Sequence, residues 1–241
     1  MAESDPRVGA DRAAPGRFDP VLRDIVLAHA LFAVLCLVVL LAPVELRVGV
    51  RLFLLVLVYN AMLPVIGILR RDKGLVSLWL FAAILSVFQV YPDLFLSMQL
   101  GVVVYPEDGF PKIGTVSGYM AGLWTMPVFM ILFVGERIEK RYALGAAYGA
   151  VGLLSLLVFG ISEETLWMLP SWYARNVAMI DHVALYILLP EVIFGLSAYA
   201  AYKAIEERSH WLKIPAAFLV MLLYLGSTAF FYLLVEKVIL G

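Results

Sequence analysis

Long apolar runs separated by short polar segments organise this chain. Seven runs fall at roughly 24–43, 49–69, 75–92, 115–135, 142–161, 177–203 and 212–239. Each is close to the ~20 apolar residues that carry a helix across a hydrocarbon core, and the alternation of barrel strands is absent. A further apolar stretch, Leu94 to Tyr105, either extends the third run or forms an interfacial or re-entrant segment. The expectation is an all-α polytopic membrane protein of about seven transmembrane helices, a single domain over residues 23–241. Internal repeats, heptads and interdomain linkers are not evident. Residues 1–22, rich in Ala, Gly, Pro, Asp and Arg, read as a disordered cytoplasmic tail. They lack the early apolar core and cleavage site of a signal peptide.

The polar positions orient the runs. With the N-terminus inside, the inner segments carry Arg7, Arg12, Arg17 and Arg23, then Arg70, Arg71 and Lys73, then Arg137, Lys140 and Arg141, then Lys203, Arg208 and Lys213. That is most of the 18 Lys and Arg; the outer segments keep Arg47, Arg51, Lys112, Arg175 and Lys237. The positive-inside rule therefore predicts an N-terminus inside and a C-terminus outside. Lack of eukaryotic targeting signals favours a bacterial inner membrane.

Composition narrows the class further. The chain is 63% hydrophobic and 15% charged, with a mean hydropathy of +0.93, against about half and a quarter for a soluble domain. A net charge of −1 leaves no basic footprint for nucleic acid. Cys36 is the one cysteine, which excludes an intramolecular disulfide and a Cys-rich metal site. His29, His182 and His210 are too dispersed for a His cluster. No metal or cofactor is expected.

Glu191 is the leading chemical candidate. It sits near the middle of the run Val177 to Lys203, where no water solvates a charge, so the carboxyl is neutral, paired or turned to a polar cavity. Pro64, Pro127 and Pro190 each free a carbonyl four residues earlier, on Asn60, Leu123 and Tyr186. Asn60 adds an amide at that depth, and Gly226, Ser227 and Thr228 reach about the same level. If the sixth run is helical from its start, Asp181 lies about 80° around and about 15 Å along the axis from Glu191 and lines the same quadrant. His182 then faces elsewhere and reads as an interfacial hydrogen-bonding residue within reach of Arg175.

The outer loops add candidates. Pro106 to Lys112 cannot be helical throughout. Ser162 to Arg175 carries Glu163, Glu164, Trp167 and Trp172 and reads as an aromatic belt at the interface or as a lid over a cavity opening outward. Two adjacent carboxyls in poor solvent can supply a proton donor, although neighbours on a helix face different ways. Trp124, Tyr186 and Tyr224 lie at a depth where their rings pack or face a substrate.

One family resemblance bears on this pattern. Leu189-Pro190-Glu191-Val192 looks like a degenerate form of the Pro-x-Glu-Glu motif carried in a span by the small heterodimeric lycopene cyclases. In length and span count the chain is similar to those small integral-membrane isoprenoid cyclases and to the transmembrane terpene cyclases. Val192 stands where a second acid would follow, and span two offers Asn60 where the terpene cyclases have an acid. The resemblance implies protonation of an alkene or epoxide by a membrane-embedded carboxylic acid, without metal.

Three readings follow. The first is a membrane enzyme, a cyclase or isomerase of a lipophilic isoprenoid substrate, with Glu191 as general acid, Asp181, Glu163 or Glu164 as proton acceptor or relay, and Asn60, Trp124, Tyr186 and Tyr224 against the substrate. The second is a proton-coupled transporter. The third is a non-enzymatic membrane subunit or lipid-binding module. Expected partners are a lipophilic small molecule and membrane lipids.

Overall fold

A computed structural model describes residues 19–43 and 45–241. Residues 1–18, most of the expected tail, lie outside the described residues. Seven helical segments are long and apolar enough to cross a membrane: α1 (Pro20–Leu41), α2 (Val48–Leu69), α3 (Lys73–Gln99), α4 (Met120–Arg141), α5 (Leu144–Met168), α6 (Leu188–Ile205) and α7 (His210–Ile239). Asp19 starts α1 by accepting the N–H of Val21 at 2.9 Å, with Pro20 at the first helical position, and Asp72 caps α3 through the N–H of Leu75 at 2.9 Å.

The connections α2–α3, α4–α5 and α6–α7 are short, and together with the helix ends that flank them they gather Arg70, Arg71, Arg137, Lys140, Arg141, Lys203 and Arg208 at one end of the bundle, the basic end. Ion pairs tie this basic end together. Asp24 pairs with Arg70, Asp19 with Arg137, and Lys203 bridges Glu139 (3.1 Å) and Glu206. At the other end of α1, Arg51 donates to the carbonyls of Leu40 (3.1 Å) and Ala42 (3.0 Å), filling acceptors that the helix terminus leaves open.

The core lies among α3 to α7, where Phe81, Leu85, Phe129, Phe194, Tyr199 and Tyr224 are fully or almost fully buried. On α1 only Ile25 and Phe32 are buried, and Val26, Leu31, Leu37 and Leu41 are exposed. In a bilayer these apolar faces meet lipid, which removes the penalty that water would impose.

The end opposite the basic loops is capped by paired backbone rather than by open loops. Strand β1 (Val103–Val104) from the α3–α4 connection pairs antiparallel with β4 (Tyr173–Ala174) from the α5–α6 connection. Two hairpins complete the cap, β2 (Lys112–Ile113) with β3 (Val116–Ser117), and β5 (Met179–Ile180) with β6 (Val183–Ala184). Gly114 opens the first turn at φ 60 and Asp181 the second at φ 54. Glycine adopts that left-handed region freely and Asp tolerates it.

These hairpins correct two expected helix starts. Span six begins at Leu188, not 177, and span four at Met120, not 115. An apolar hairpin satisfies its own backbone as a helix does, so hydropathy alone does not separate them. The helical arithmetic linking Asp181 to Glu191 therefore fails. Span three instead runs on to Gln99, ending in a π-helical turn (Phe95–Gln99), and Val103 then enters β1.

Two of the three prolines act differently from the expectation. Pro64 does sit inside α2, where it frees the Asn60 carbonyl as expected. Pro127 and Pro190 occupy the first turns of Thr125–Arg141 and Leu188–Ile205, where a missing N–H removes little. The break on α3 falls at Gln89, between Lys73–Phe88 and Val90–Leu94, where Pro92 cannot donate to the carbonyl of Phe88.

Candidate functional site

A cavity of about 230 Å³ lies beneath the strand cap, between α3, α4, α5, α6 and α7, with Leu52 of α2 at its edge. Three carboxylates line it: Asp93 of α3, Glu163 of α5 and Glu191 of α6. Asp93 and Glu191 each follow a proline directly, Pro92 and Pro190. Glu163 sits near the C-terminus of α5, at the depth where the cap begins.

Each acid is held in its own way. Asp93 is 4% exposed and accepts the indole N–H of Trp124 at 3.1 Å. Glu163 accepts the indole N–H of Trp172 at 3.2 Å. Glu191 is 3% exposed, and its Oε2 is buried with no hydrogen-bond partner among the described residues. Glu163 lies within electrostatic reach of both Asp93 and Glu191. No Lys or Arg lines the cavity, and none forms an ion pair with these acids among the described residues. One turn below Asp93 on the same face of α3, Gln89 is fully buried with both amide atoms unpartnered among the described residues.

Aromatic rings make much of the wall. Trp124 sits at its centre, edge-on to Tyr224 (5.9 Å) and Phe194 (5.6 Å) and tilted against Phe159 (5.5 Å). Tyr105 and Tyr186 close the cap side. Burial pushes the Tyr105 hydroxyl well above its usual range, and the adjacent Asp93 carboxyl adds to the shift. Burial does the same to Tyr186, reinforced by Glu163 and Glu191. These phenols remain neutral donors at any physiological pH.

The cap is fastened from both connections. The Arg175 N–H donates to Val102 O at 2.9 Å and its Nε to Gly101 O at 3.1 Å, so Arg175 turns to the facing loop rather than to Asp181 and His182 as expected. The hydroxyls of Tyr119 and Ser171 are 3.1 Å apart. Burial pushes the Tyr119 phenol up to about 12. Glu236 of α7 accepts the N–H of Ala178 at 2.9 Å. Of the two readings of the 162–175 segment, the lid fits Ser171 and Trp172, which line the cavity. Trp167 instead stacks on the His182 ring outside it, with centroids 4.2 Å apart.

Of the residues expected at the site, Glu191, Glu163, Trp124, Tyr186 and Tyr224 meet at this cavity. Asn60 does not line it. Its amide donates to Val56 O (3.0 Å) and Gly122 O (3.1 Å), bracing α4 beside the break before Thr125. Asp181 stands at the tip of the β5–β6 turn, its side chain 71% exposed. Glu164 faces His182 instead of the cavity, as the divergence of helix neighbours requires. Asp93 and Tyr105 are cavity residues that the sequence reading misses, and Trp172 enters it only through the lid alternative. The signal for Asp93 is its place after Pro92 in an apolar stretch, the same dipeptide form as Pro190-Glu191.

Fold and site together define a seven-helix, membrane-type protein with a capped, acid-lined aromatic cavity. The chain belongs to the family described as a domain of unknown function (DUF6989), whose model matches residues 90–235. No curated protein and no solved structure matches it. The matched stretch holds all three acids and every cavity residue named above except Leu52.

Proposed function

We propose that this protein is an integral-membrane enzyme acting on a lipophilic substrate of the isoprenoid class by metal-free acid–base chemistry, as a cyclase or isomerase. The observation that carries the reading is the convergence of Asp93, Glu163 and Glu191 on one aromatic-walled cavity with no cation lining it among the described residues. Buried carboxyls without counter-charges cost several kcal/mol when ionised, and acids within a membrane domain mark proton chemistry by default.

In this reading Glu191, in its acid form, donates its proton to a substrate C=C bond. The π pair becomes the new C–H bond, and the neighbouring carbon becomes cationic. The faces of Trp124 and Tyr224 stabilise that charge. Either an adjacent C–H gives its proton to Glu163 or Asp93 directly, or a second C=C first attacks the cation and closes a ring. Both routes restore a double bond and leave the composition unchanged. The proton then returns to Glu191 from Glu163, or from Asp93 by way of Glu163, and no oxidant or reductant is needed. The basic end faces the cytoplasm in this proposal, in a bacterial inner membrane, with the cavity toward the outer leaflet.

The test is mass spectrometry of lipid extracts from cells making the wild type or Glu191→Gln, supplied with an isoprenoid pool. The expected result is a product of unchanged mass and altered retention that disappears in the folded Gln variant. Identical lipids in cells with wild type, Glu191→Gln and no protein would overturn the reading for that pool. Flux of a lipophilic solute with protons into vesicles, without conversion, would favour a carrier instead.

A further inference from the structure

A second cluster of chemically capable side chains lies outside the cavity, where the end of α5 meets the β5–β6 turn. Glu164, Asp181 and His182 each offer one ligand atom, and these atoms all lie within 4.8 Å of one another. His182 Nδ1 is 3.4 Å from Glu164 Oε1 and 3.1 Å from Asp181 Oδ1. Hydrogen bonding accounts for only part of this arrangement. An imidazole Nδ1 carries at most one proton, so it serves one of the two carboxylates well and leaves the other facing it as a second acceptor.

A tetrahedral cation with bonds of about 2.0–2.1 Å holds its ligand atoms about 3.3–3.4 Å apart, close to both nitrogen–oxygen separations. The ligands are also oriented from outside, as metal-ligating groups commonly are. Glu164 Oε2 accepts the backbone N–H of His182 at 3.2 Å, which turns Oε1 toward the imidazole. The Trp167 ring lies flat on the imidazole, with 11° between planes, and fixes its tilt. Two of the ligands come from the hairpin turn and one from α5, so a bound ion would join two elements.

We propose that Glu164, Asp181 and His182 form a site for a divalent transition cation of the zinc type, with three protein ligands and one open position, and that the ion clamps the β5–β6 hairpin onto α5. One nitrogen and two oxygens favour zinc, manganese or nickel over calcium and magnesium, which take all-oxygen shells. The site departs from the expectation that no metal binds. Glu163, next to Glu164, and Ala184, two residues after His182 on strand β6, line the cavity, so the clamp acts on the cap. The ion itself stands outside the cavity and takes no part in the proton transfers proposed above. The inference holds whether or not that reading does.

The experiment uses the full chain, stripped of metal in detergent and titrated with zinc up to about 100 μM, a range that detects sites far weaker than structural zinc. Calorimetry gives the stoichiometry, and tryptophan emission reports on Trp167 beside His182. The expected result is one saturable site per chain, quenched or shifted emission, and a thermal midpoint that rises with zinc. His182→Ala and Glu164→Gln should each weaken binding about tenfold or more while keeping the metal-free midpoint. Magnesium at the same concentration should do nothing. Absence of saturable binding in the wild type would overturn the proposal, whatever the variants do. So would equal zinc affinity in the wild type and His182→Ala.

Discussion

Two groups of carboxylates, one at each end of the helix bundle, are held in opposite ways. At the basic end Asp24, Asp19, Glu139 and Glu206 each meet a cation, Arg70, Arg137 or Lys203, and Tyr199 adds a 2.6 Å hydrogen bond to Glu139. At the capped end Asp93, Glu163 and Glu191 share a cavity with indoles, phenols and apolar side chains and, among the described residues, no lining cation. Paired charges where helices meet the headgroups are what folding and orientation require. Acids gathered in an apolar cavity are destabilising, and such features persist mainly at sites that use them. In the proposed reading, the contrast separates acids that hold the protein together from acids kept for chemistry.

The largest expected effect tests that separation directly. Glu191→Gln keeps the shape and removes the exchangeable acid, so turnover should fall by about 10²–10⁴-fold, the usual weight of a general acid. Glu163→Gln should cost a similar factor. Glu139→Gln, at the basic end, should leave turnover within a few-fold of wild type. The readout is the rate of product formation in extracts normalised to folded protein. Equal losses at both ends would erase the distinction.

How far the sequence foretells this arrangement depends on what sets each feature. Apolar length sets the number of helices, and all seven are legible in the runs. Their ends are not, because residues 115–117 and 179–184 run on into apolar helix and pass for its start while pairing in hairpins. The turn signals were present in Gly114-Thr115 and Asp181-His182, but hydropathy outweighed them. Glu191 and Glu163 are legible because an acid in or beside an apolar run is rare. Asp93 is hidden because the third apolar run ends at 92, just before it. Asn60 misleads in the other direction. A polar residue in mid-span suggests a cavity, yet its amide is spent on the loosened backbone of α4. Hydrogen-bond demand created by a helix break in another segment has no local sequence signature.

A smaller effect probes how the acid-bearing helices come together. Gly195 lies one turn below Glu191 on α6, and a Cβ there would meet Ser155 of α5 at 1.8 Å from Oγ and 2.9 Å from its Cβ. Ser155 Oγ can rotate, but the Cβ contact requires the helices to part. Gly195→Ala should therefore cost about 1–3 kcal/mol, the range for overpacking, and loosen the floor between Glu163 and Glu191. Gly152→Ala on the facing helix meets its nearest atom at 3.6 Å and serves as the control, with little change. Thermal unfolding in detergent measures both. A Gly195→Ala variant as stable as Gly152→Ala would mean that close approach of α5 and α6 is not what sets the cavity.

The smallest effect belongs to the basic end. Lys203 bridges Glu139 and Glu206 with its side chain 23% exposed, so Lys203→Met removes the cation and leaves both carboxylates near the surface, where water screens them. The loss should be about 1 kcal/mol or less, as for exposed pairs, and it should shrink further in high salt. Turnover should be unchanged, because no described residue at that end lines the cavity. A loss of several kcal/mol would mean that the Glu139–Lys203–Glu206 cluster is shielded from solvent as a buried network. The basic end would then hold unscreened charge of its own, and the difference between the two ends would rest on pairing alone rather than on pairing together with access to water.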